Sequence, residues 1–499
     1  MKIFFSGIGG IGMSALAQIS TLLNNQTIGS DLKKTYITEK LEKMGIKIFY
    51  NQSSQNITQD LNLFVYSSAI TPDNPEFIKA KQLKIPLLHR SEYLNEILKN
   101  KQVISITGSS GKTTTTTITG IALNKLEIKS NLITGGWIKE IDSNIIWNNS
   151  DMVVLEADES DGSLTNYPSH IGLITDLAVD INLNSQKFKN TNNPQNKLKD
   201  IYTEFVKKIK LNNGKLIISN DTELINFIKE NDFKPDIIFG ESKPNVFSDV
   251  FISLDLPYIS FQNLAQTERN GYPLINFTLK INIKEKEEEI GRVQLKTIGT
   301  YNALNFIATA SIIFSITENI QTLKKLCLIS ESIPFAKRRF EILFNEVIKN
   351  KRLIIVDDYA HNPKKIKSLL SNLNKVYKNY QRIVIFQPHR YTRTMMFWEN
   401  LITVFKGMDY LIILPIYEAG ENPIPGISSE NLTLNIKKQA EKEENIFYIE
   451  TFEQTQKLLE KLINNKDSIV VFVGAGNITN LANTFAQNFL ESTNFVKKI

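Results

Sequence analysis

Within Ile104–Thr117, "ISITGSSGKTTTTT", an apolar run leads into Gly108, Ser109, Ser110, Gly111, Lys112, Thr113 and Thr114. Those residue types in that order describe an anion cradle. Backbone N–H groups from Ser109 to Thr114 point into a tight turn, the following helix adds its dipole, and Lys112 places a point charge on the outer phosphates. Thr113 offers its hydroxyl to a magnesium ion. The gap between Gly108 and Gly111 is shorter than in the standard phosphate loop, which would put a glycine where Ile106 stands. The competing reading, a Ser/Gly turn ahead of an ordinary helix, gives no reason for the lysine and threonine. Further on, the run "MVVL" ends in Glu156, within "EADESDG". On a strand beside that of the loop, this carboxylate would be a hard oxygen ligand for magnesium; in isolation the same residues spell a solvated acidic loop.

A second glycine turn stands at the N-terminus, in "KIFFSGIGGIGMSALAQIS". Gly7, Gly9 and Gly12 follow the apolar run "IFF", and Asp31 ends a second apolar stretch at the distance of the dinucleotide fingerprint. A diphosphate on that helix start is expected. The spacing does not choose between a nicotinamide dinucleotide and a nucleotide sugar. Towards the C-terminus, "KRLIIVDDYAHNP", "QRIVIFQPHRYTR", "DYLIILPIYEAGE" and "DSIVVFVGAGNI" are apolar runs that each end in polar or glycine residues. Ligands gather outside the carboxyl ends of such strands. Of the four histidines, His361 and His389 lie at these tips, beside acidic or arginine residues. A lone histidine is more often structural than catalytic, and for His389 both readings stay open.

The elements that must position these groups alternate between short strands and helices, which predicts right-handed crossovers and parallel sheets. Apolar runs at "KIFF", "QTIGSD", "IKIFY", "LFVYSSAI" and "IPLLHR" build a first domain, closed by a helix in "RSEYLNEILKNKQ" that ends near Lys101. The strands "VISITG", "DMVVLEAD", "HIGLITD" and "GKLIISND" make a second, followed by the buried helix "IGTYNALNFIATASIIFSI". The boundaries fall at 1–100, 101–325 and 326–499. Residues 182–200, polar and Asn-rich, read as a loop, and "KEKEEE" at 284–289 as a solvated hairpin or strand end.

A length of 499 residues suggests about three domains. With 42% apolar and 22% charged residues the composition is globular. The net charge of +6, from 58 basic and 52 acidic residues, is too dilute to argue for a nucleic-acid groove. The single cysteine, Cys327, forms no intrachain disulfide and lies in an apolar stretch that favours burial over reactivity. No run approaches the roughly 18 apolar residues of a membrane span, and the N-terminus lacks a secretory core. A cytoplasmic protein with no membrane partner, monomeric or homodimeric, is expected.

Taken together, "GIGGIGMS", "TGSSGKTTTT", "EADESDGS", "GTYNALN", "KRRFE", "VDDYAHNP", "FQPHRYTRT", "AGENPIPGISS" and "GAGNI" resemble the Mur ligases in order and spacing over nearly the whole chain. "YAHNP" with "QPHRYTRT" is far more specific than either glycine turn. The nearest branch joins L-alanine to UDP-N-acetylmuramate at the cost of ATP, with magnesium. The resemblance implies an α/β protein of three domains: a Rossmann-like N-terminal domain, a central phosphate-loop ATPase domain, and a Rossmann-like C-terminal domain that closes over both. It assigns the first glycine turn to the sugar nucleotide, through Gly9, Gly10, Ile11, Gly12, Met13, Ser14, Asp31, Ser67, Ser68 and Ala69, and the second to ATP. It also implies that Thr113 and Glu156 hold magnesium, that Asn302 and Asn305 reach ATP, and that Arg339 meets its phosphates. Asp358 would hold the ribose, and His361, Arg390 and Arg393 the incoming amino acid. A nicotinamide oxidoreductase would leave Lys112 and the C-terminal motifs unexplained. The recycling branch that adds a whole tripeptide to the same sugar nucleotide is the nearest rival.

The chain departs from the family's pattern at three points. After "IGLIT" the family reads Asn, an acid, then Asp-His before another Asp; here "TDLAVDINL" keeps Asp180 and puts Ile181 at the histidine. That histidine is a magnesium ligand in the family and isoleucine cannot coordinate, so the second metal site is in question unless Asp176 or Asp180 fills in. Tyr301 and Ser110 also stand where this branch carries histidine.

Overall fold

The computed structural model describes residues 1–159, 162–177, 194–241, 256–284, 286–348, 350–463 and 466–496. They form three sheets. The first has five strands in the order Lys47–Phe49, Gln26–Ser30, Lys2–Ser6, Leu63–Tyr66 and Leu87–His89, all parallel. The order reverses between Lys2–Ser6 and Leu63–Tyr66, which opens a crevice at their carboxyl ends. Phe4 and Phe64 stack across these two strands on one face, and the almost wholly buried helix Ile11–Leu22 covers the other. The helix Arg90–Leu98 ends three residues short of the expected Lys101, because Asn100 takes a left-handed φ of 63°.

The second sheet has ten strands. Its parallel centre runs Ile237–Gly240, Lys215–Ser219, Ser169–Ile174, Gln102–Thr107, Met152–Glu156 and Asn131–Ile138, and Ser143–Ile146 pairs antiparallel at one edge. At the other edge follow Tyr258–Arg269, Tyr272–Ile283 and Lys286–Leu295. The expected loop over 182–200 is corrected in part, since Pro194–Leu211 is a helix that buries Leu198, Tyr202, Phe205, Val206 and Ile209. Residues 178–193, including Asp180 and Ile181, lie outside the described residues. The charged run leads into the strand Lys286–Leu295, where Lys286 to Glu289 are exposed.

The third sheet runs Glu341–Ile348, Lys351–Asp358, Ser468–Val473, Gln381–Phe386, Tyr410–Ile413 and Ile446–Tyr448; its first pair is antiparallel and the rest parallel. Alternate residues of each strand enter separate cores, Ile354 and Val356 on one face, Leu353 and Ile355 on the other. That two-sided burial explains the unbroken apolar runs in the sequence.

Two compact units result, Met1–Gln262 with Thr278–Arg292 and Leu304–Ala336, and Asn263–Phe277 with Val293–Ala303 and Lys337–Ile499. Cys327 is buried in the first, and burial pushes its thiol up to about 12. Among the described residues no helix is long and apolar enough to cross a membrane.

Candidate active site

The strand Gln102–Thr107 delivers the loop to the helix Lys112–Lys125. Both loop glycines have a structural reason. Gly108 and Gly111 take φ of 121° and 84°, and a Cβ would collide with Thr175 Oγ1 at the first and with Asn305 Oδ1 at the second. Three hydroxyls of the buried threonine-rich helix find partners: Thr115 donates to Asn305 Oδ1 (3.2 Å), Thr117 pairs with Thr134 (3.2 Å) and Thr119 with Thr309 (3.0 Å). Asn305 is thereby fixed beside the loop.

Lys112 Nζ donates to the Gly108 carbonyl (2.6 Å) and to both oxygens of Glu159 (2.9 and 2.8 Å), with Asp158 at 3.9 Å. Burial alone would lower the lysine pKa; Glu159 and Asp158 more than offset it and leave it above the ordinary value. For Glu159, burial pushes the carboxyl up to about 7 against the pull of Lys112. The two shifts favour opposite states of the pair. The two-oxygen geometry favours the ionised one, in which Lys112 keeps its proton.

Glu156 ends the strand adjacent to that of the loop, in register with Ile106. One oxygen accepts the Thr113 hydroxyl (2.8 Å); the other accepts the Gly135 amide (2.5 Å) and the Thr134 hydroxyl (3.3 Å). A threonine hydroxyl against a carboxylate, at the mouth of a phosphate loop, fits magnesium, which takes one or two protein oxygens and completes its shell with phosphates and water. Among the described residues no group of three or more His, Cys, Asp or Glu is placed to hold a metal ion.

Two of the amides expected to hold phosphate, those of Ser109 and Ser110, instead donate to Asp176 Oδ1 at 2.5 and 3.2 Å. Asp176 follows the strand Ser169–Ile174, which pairs with the loop strand. Glu159 and Asp176 were the groups that motif reading underweighted. The signals were an acid three residues after Glu156 and an acid at the tip of the next apolar strand.

At the first glycine turn, Gly7 has φ 79° and Gly10 caps the helix Ile11–Leu22. The Gly9 amide donates to Asp31 Oδ2 (2.9 Å), and the Ser14 amide to the Gly10 carbonyl (2.8 Å). Met13 and Ser14 are buried in the helix, so their side chains support the turn rather than line it. Ser67, Ser68 and Ala69 follow the neighbouring strand Leu63–Tyr66; Ser67 Oγ lies against Gly7, and Ser68 Oγ bonds His89 Nε2 (3.1 Å). Arg90, which sequence reading passed over, brings Nη1 to 3.1 Å from the position of a Cβ on Gly12. It supplies a positive charge at the helix start.

In the second unit, Asp358 ends the strand Lys351–Asp358 and accepts the amides of Phe340 and Ala360, both at 2.8 Å. Burial raises its pKa. Arg338 and Arg339 lie over the Tyr359 ring at 4.8 and 5.6 Å. Arg338 also bonds the Gly474 carbonyl and pairs with Asp357 (3.4 Å), whereas Arg339 acts electrostatically on Asp358 and Tyr301. His361 Nδ1 bonds the Tyr359 carbonyl (2.8 Å), and Asn302 donates to the Ile298 carbonyl (2.8 Å) and Thr297 (3.0 Å). Arg390, beyond the tip of Gln381–Phe386, has a left-handed φ of 68°, a strained value for a residue with a side chain. Arg393 Nη1 lies 3.2 Å from His389 Nδ1. Arginine only donates, so Nδ1 is the acceptor and the imidazole proton sits on Nε2. Burial, then Arg393 and Arg390, lower His389 to about 4.

A glycine-lysine-threonine loop on a parallel sheet, with a carboxylate on the next strand, defines a phosphate-loop α/β enzyme. The particular family follows from comparison with known proteins. Residues 2–102 match the model described as Mur ligase family, catalytic domain, and residues 338–476 the model described as Mur ligase, glutamate ligase domain. The chain is 33% identical to the UDP-N-acetylmuramate–L-alanine ligase of a Sulfurihydrogenibium species over 98% of each chain. It is also 33% identical to that of Brachyspira hyodysenteriae over 97% of each. The crystal structure of the UDP-N-acetylmuramate-alanine ligase of Thermotoga maritima superimposes with a TM-score of 0.78 at 24% identity, covering 99% of this chain and 100% of that one. This chain belongs to the Mur ligase family and is a ligase.

Proposed function

We propose that this ligase joins the amine of L-alanine to the muramate carboxylate of UDP-N-acetylmuramate, using ATP and magnesium, in the cytoplasm. The observation that carries the reading is the Thr113–Glu156 contact beside Lys112, in a chain similar over its whole length to alanine-adding ligases. We assign residues 1–100 to the sugar nucleotide, 101–325 to ATP and 326–499 to ribose and amino acid.

A carboxylate is a poor electrophile without a leaving group. Transfer of the γ-phosphoryl group from ATP makes it an acyl phosphate and releases ADP. The alanine amine then attacks the carbonyl carbon, inorganic phosphate departs with the bonding pair, and the nitrogen loses a proton. The protein's share is positioning and charge neutralisation. Lys112 and Arg339 bind phosphoryl oxygens, Asn302 and Asn305 orient the nucleotide, and Asp358 accepts from the ribose. Thr113 and Glu156 would hold magnesium, which when bound neutralises charge on the phosphate oxygens. Arg390 and Arg393 clamp the alanine carboxylate, a group guanidinium binds in a two-pronged way, and His361 orients the acceptor end. Arg90 joins the first glycine turn in holding the diphosphate.

Incubation with UDP-N-acetylmuramate, MgATP and a panel of L-alanine, glycine, L-serine and tripeptide tests the reading. ADP release that depends on L-alanine is expected. Release that depends on the tripeptide alone would transfer the assignment to the recycling branch.

A further inference from the structure

The amides that open the phosphate loop are already engaged by a carboxylate. Asp176 Oδ1 accepts the N–H groups of Ser109 (2.5 Å) and Ser110 (3.2 Å) and the Ser109 hydroxyl (3.0 Å). The neighbouring Thr175 hydroxyl donates to the carbonyls of Ser110 (2.7 Å) and Thr107 (3.2 Å), so this segment is strapped to the loop from two sides. The charges around the loop are also lopsided. Among the described residues, Lys112 is set against Glu159 at 2.8 Å, Asp158 at 3.9 Å, Glu156 through Thr113, and Asp176. With Glu159 protonated, three carboxylates would still face one ammonium. A phosphate approaching this part of the loop meets these carboxylates as well as the ammonium.

We propose that Asp176 is a specificity-determining residue of the loop, which sets it to take a nucleotide as a divalent-cation complex and to discriminate against the free anion. The inference rests on the ATP reading above and deepens it. The physical basis is an exchange. A phosphate oxygen gains the Ser109 and Ser110 amides only by replacing charge-assisted bonds to a carboxylate, and the displaced carboxylate stays nearby and repels it. A divalent cation on the phosphates removes most of that repulsion. The alternative is that Asp176 only latches the loop in shape, a task that needs an acceptor and no charge.

Asp176→Asn separates the two, because the amide oxygen keeps the acceptor and the size while the charge goes. Titration calorimetry of ATP into wild type and D176N, without sugar nucleotide or amino acid, is read once with EDTA and once with excess magnesium chloride. With EDTA, D176N is expected to bind ATP on the order of tenfold more tightly than wild type, and with magnesium the gap shrinks to about threefold or less. Equal or weaker binding by D176N in EDTA, with both proteins binding MgATP, overturns the inference alone. Failure of both proteins to bind ATP in either condition overturns the ATP reading, and this inference with it.

Discussion

Protonation of His389 should destabilise the second unit in acid by an amount that its surroundings set. The ring is stacked on Tyr417, with Arg393 at 3.2 Å; Arg390 and Arg338 act on it in the same sense and Glu421 opposes them. Burial, then Arg393 and Arg390, lower its pKa from 6.5 to about 4. The folded state therefore binds the proton less readily than the unfolded chain. The stabilisation is present in full above pH 6.5 and is lost as pH falls towards 4. Linkage between those two values sets an upper bound of about 2.4 kcal/mol lost at pH 4.5 relative to neutral pH, and solvent screening of the partly exposed ring reduces it to roughly 1–2 kcal/mol. His389→Asn places an acceptor near the position of Nδ1 and cannot be protonated. Of the three tryptophans only Trp398 belongs to the second unit, so urea unfolding of a W137F/W147F background reports on that unit through its fluorescence. Carboxylates elsewhere titrate equally in both proteins, and the difference between parent and H389N isolates the histidine. Between pH 7.5 and 4.5 the parent should lose roughly 1–2 kcal/mol more stability than H389N, so any advantage it holds at neutral pH shrinks or reverses. A gap constant to within about 0.5 kcal/mol would refute the reasoning.

Two further outcomes follow from the loop. Glu156→Gln keeps an acceptor for the Thr113 hydroxyl but turns an amide NH2 towards the Gly135 and Thr134 donors and removes the charge a magnesium ion needs; alanine-dependent ADP release should drop at least about a hundredfold, with a modest fall in melting temperature, and a drop under threefold would count against the metal role. Gly111→Ala forces a side chain into φ 84° and against Asn305, so it should cost about 1–3 kcal/mol in thermal or urea unfolding, and an unchanged midpoint would show that the loop relaxes freely.

The sheets were legible because parallel strands buried on both faces leave unbroken apolar runs, as in Leu353–Val356 and Ile383–Phe386. Lys112, Thr113 and Glu156 were legible because a strand, a turn and a helix start are contiguous in sequence, and the neighbouring strand Met152–Glu156 is an apolar run that ends in an acid. The helix Pro194–Leu211 was missed by its first turn: an Asn-rich stretch hid a proline at its first position, ahead of apolar residues at helical spacing. The strands Tyr258–Arg269 and Tyr272–Ile283 escaped notice although Asn270 and Gly271, both left-handed at φ 53° and 80°, mark the turn between them. Glu159, Asp176 and Arg90 were harder for a different reason. Each is ordinary in its own segment and becomes part of a site only through a partner brought close by folding, as the separation of 67 residues between Ser109 and Asp176 illustrates.

Both glycine turns are built on one device. The Gly9 amide donates to Asp31, and the Ser109 and Ser110 amides donate to Asp176, so in each turn a carboxylate from another strand tip satisfies donors that point outward at a helix start. Left unpaired and buried, such donors would cost about 1–3 kcal/mol each, and an internal acceptor removes that cost. The same acceptor also lowers affinity, since a diphosphate or triphosphate gains the difference between two sets of charge-assisted bonds and not the whole of one set. Positive charge nearby then decides how much of the difference survives. At the second turn the ammonium of Lys112 is itself paired with Glu159. The second turn should therefore depend on a divalent cation to hold its anion tightly.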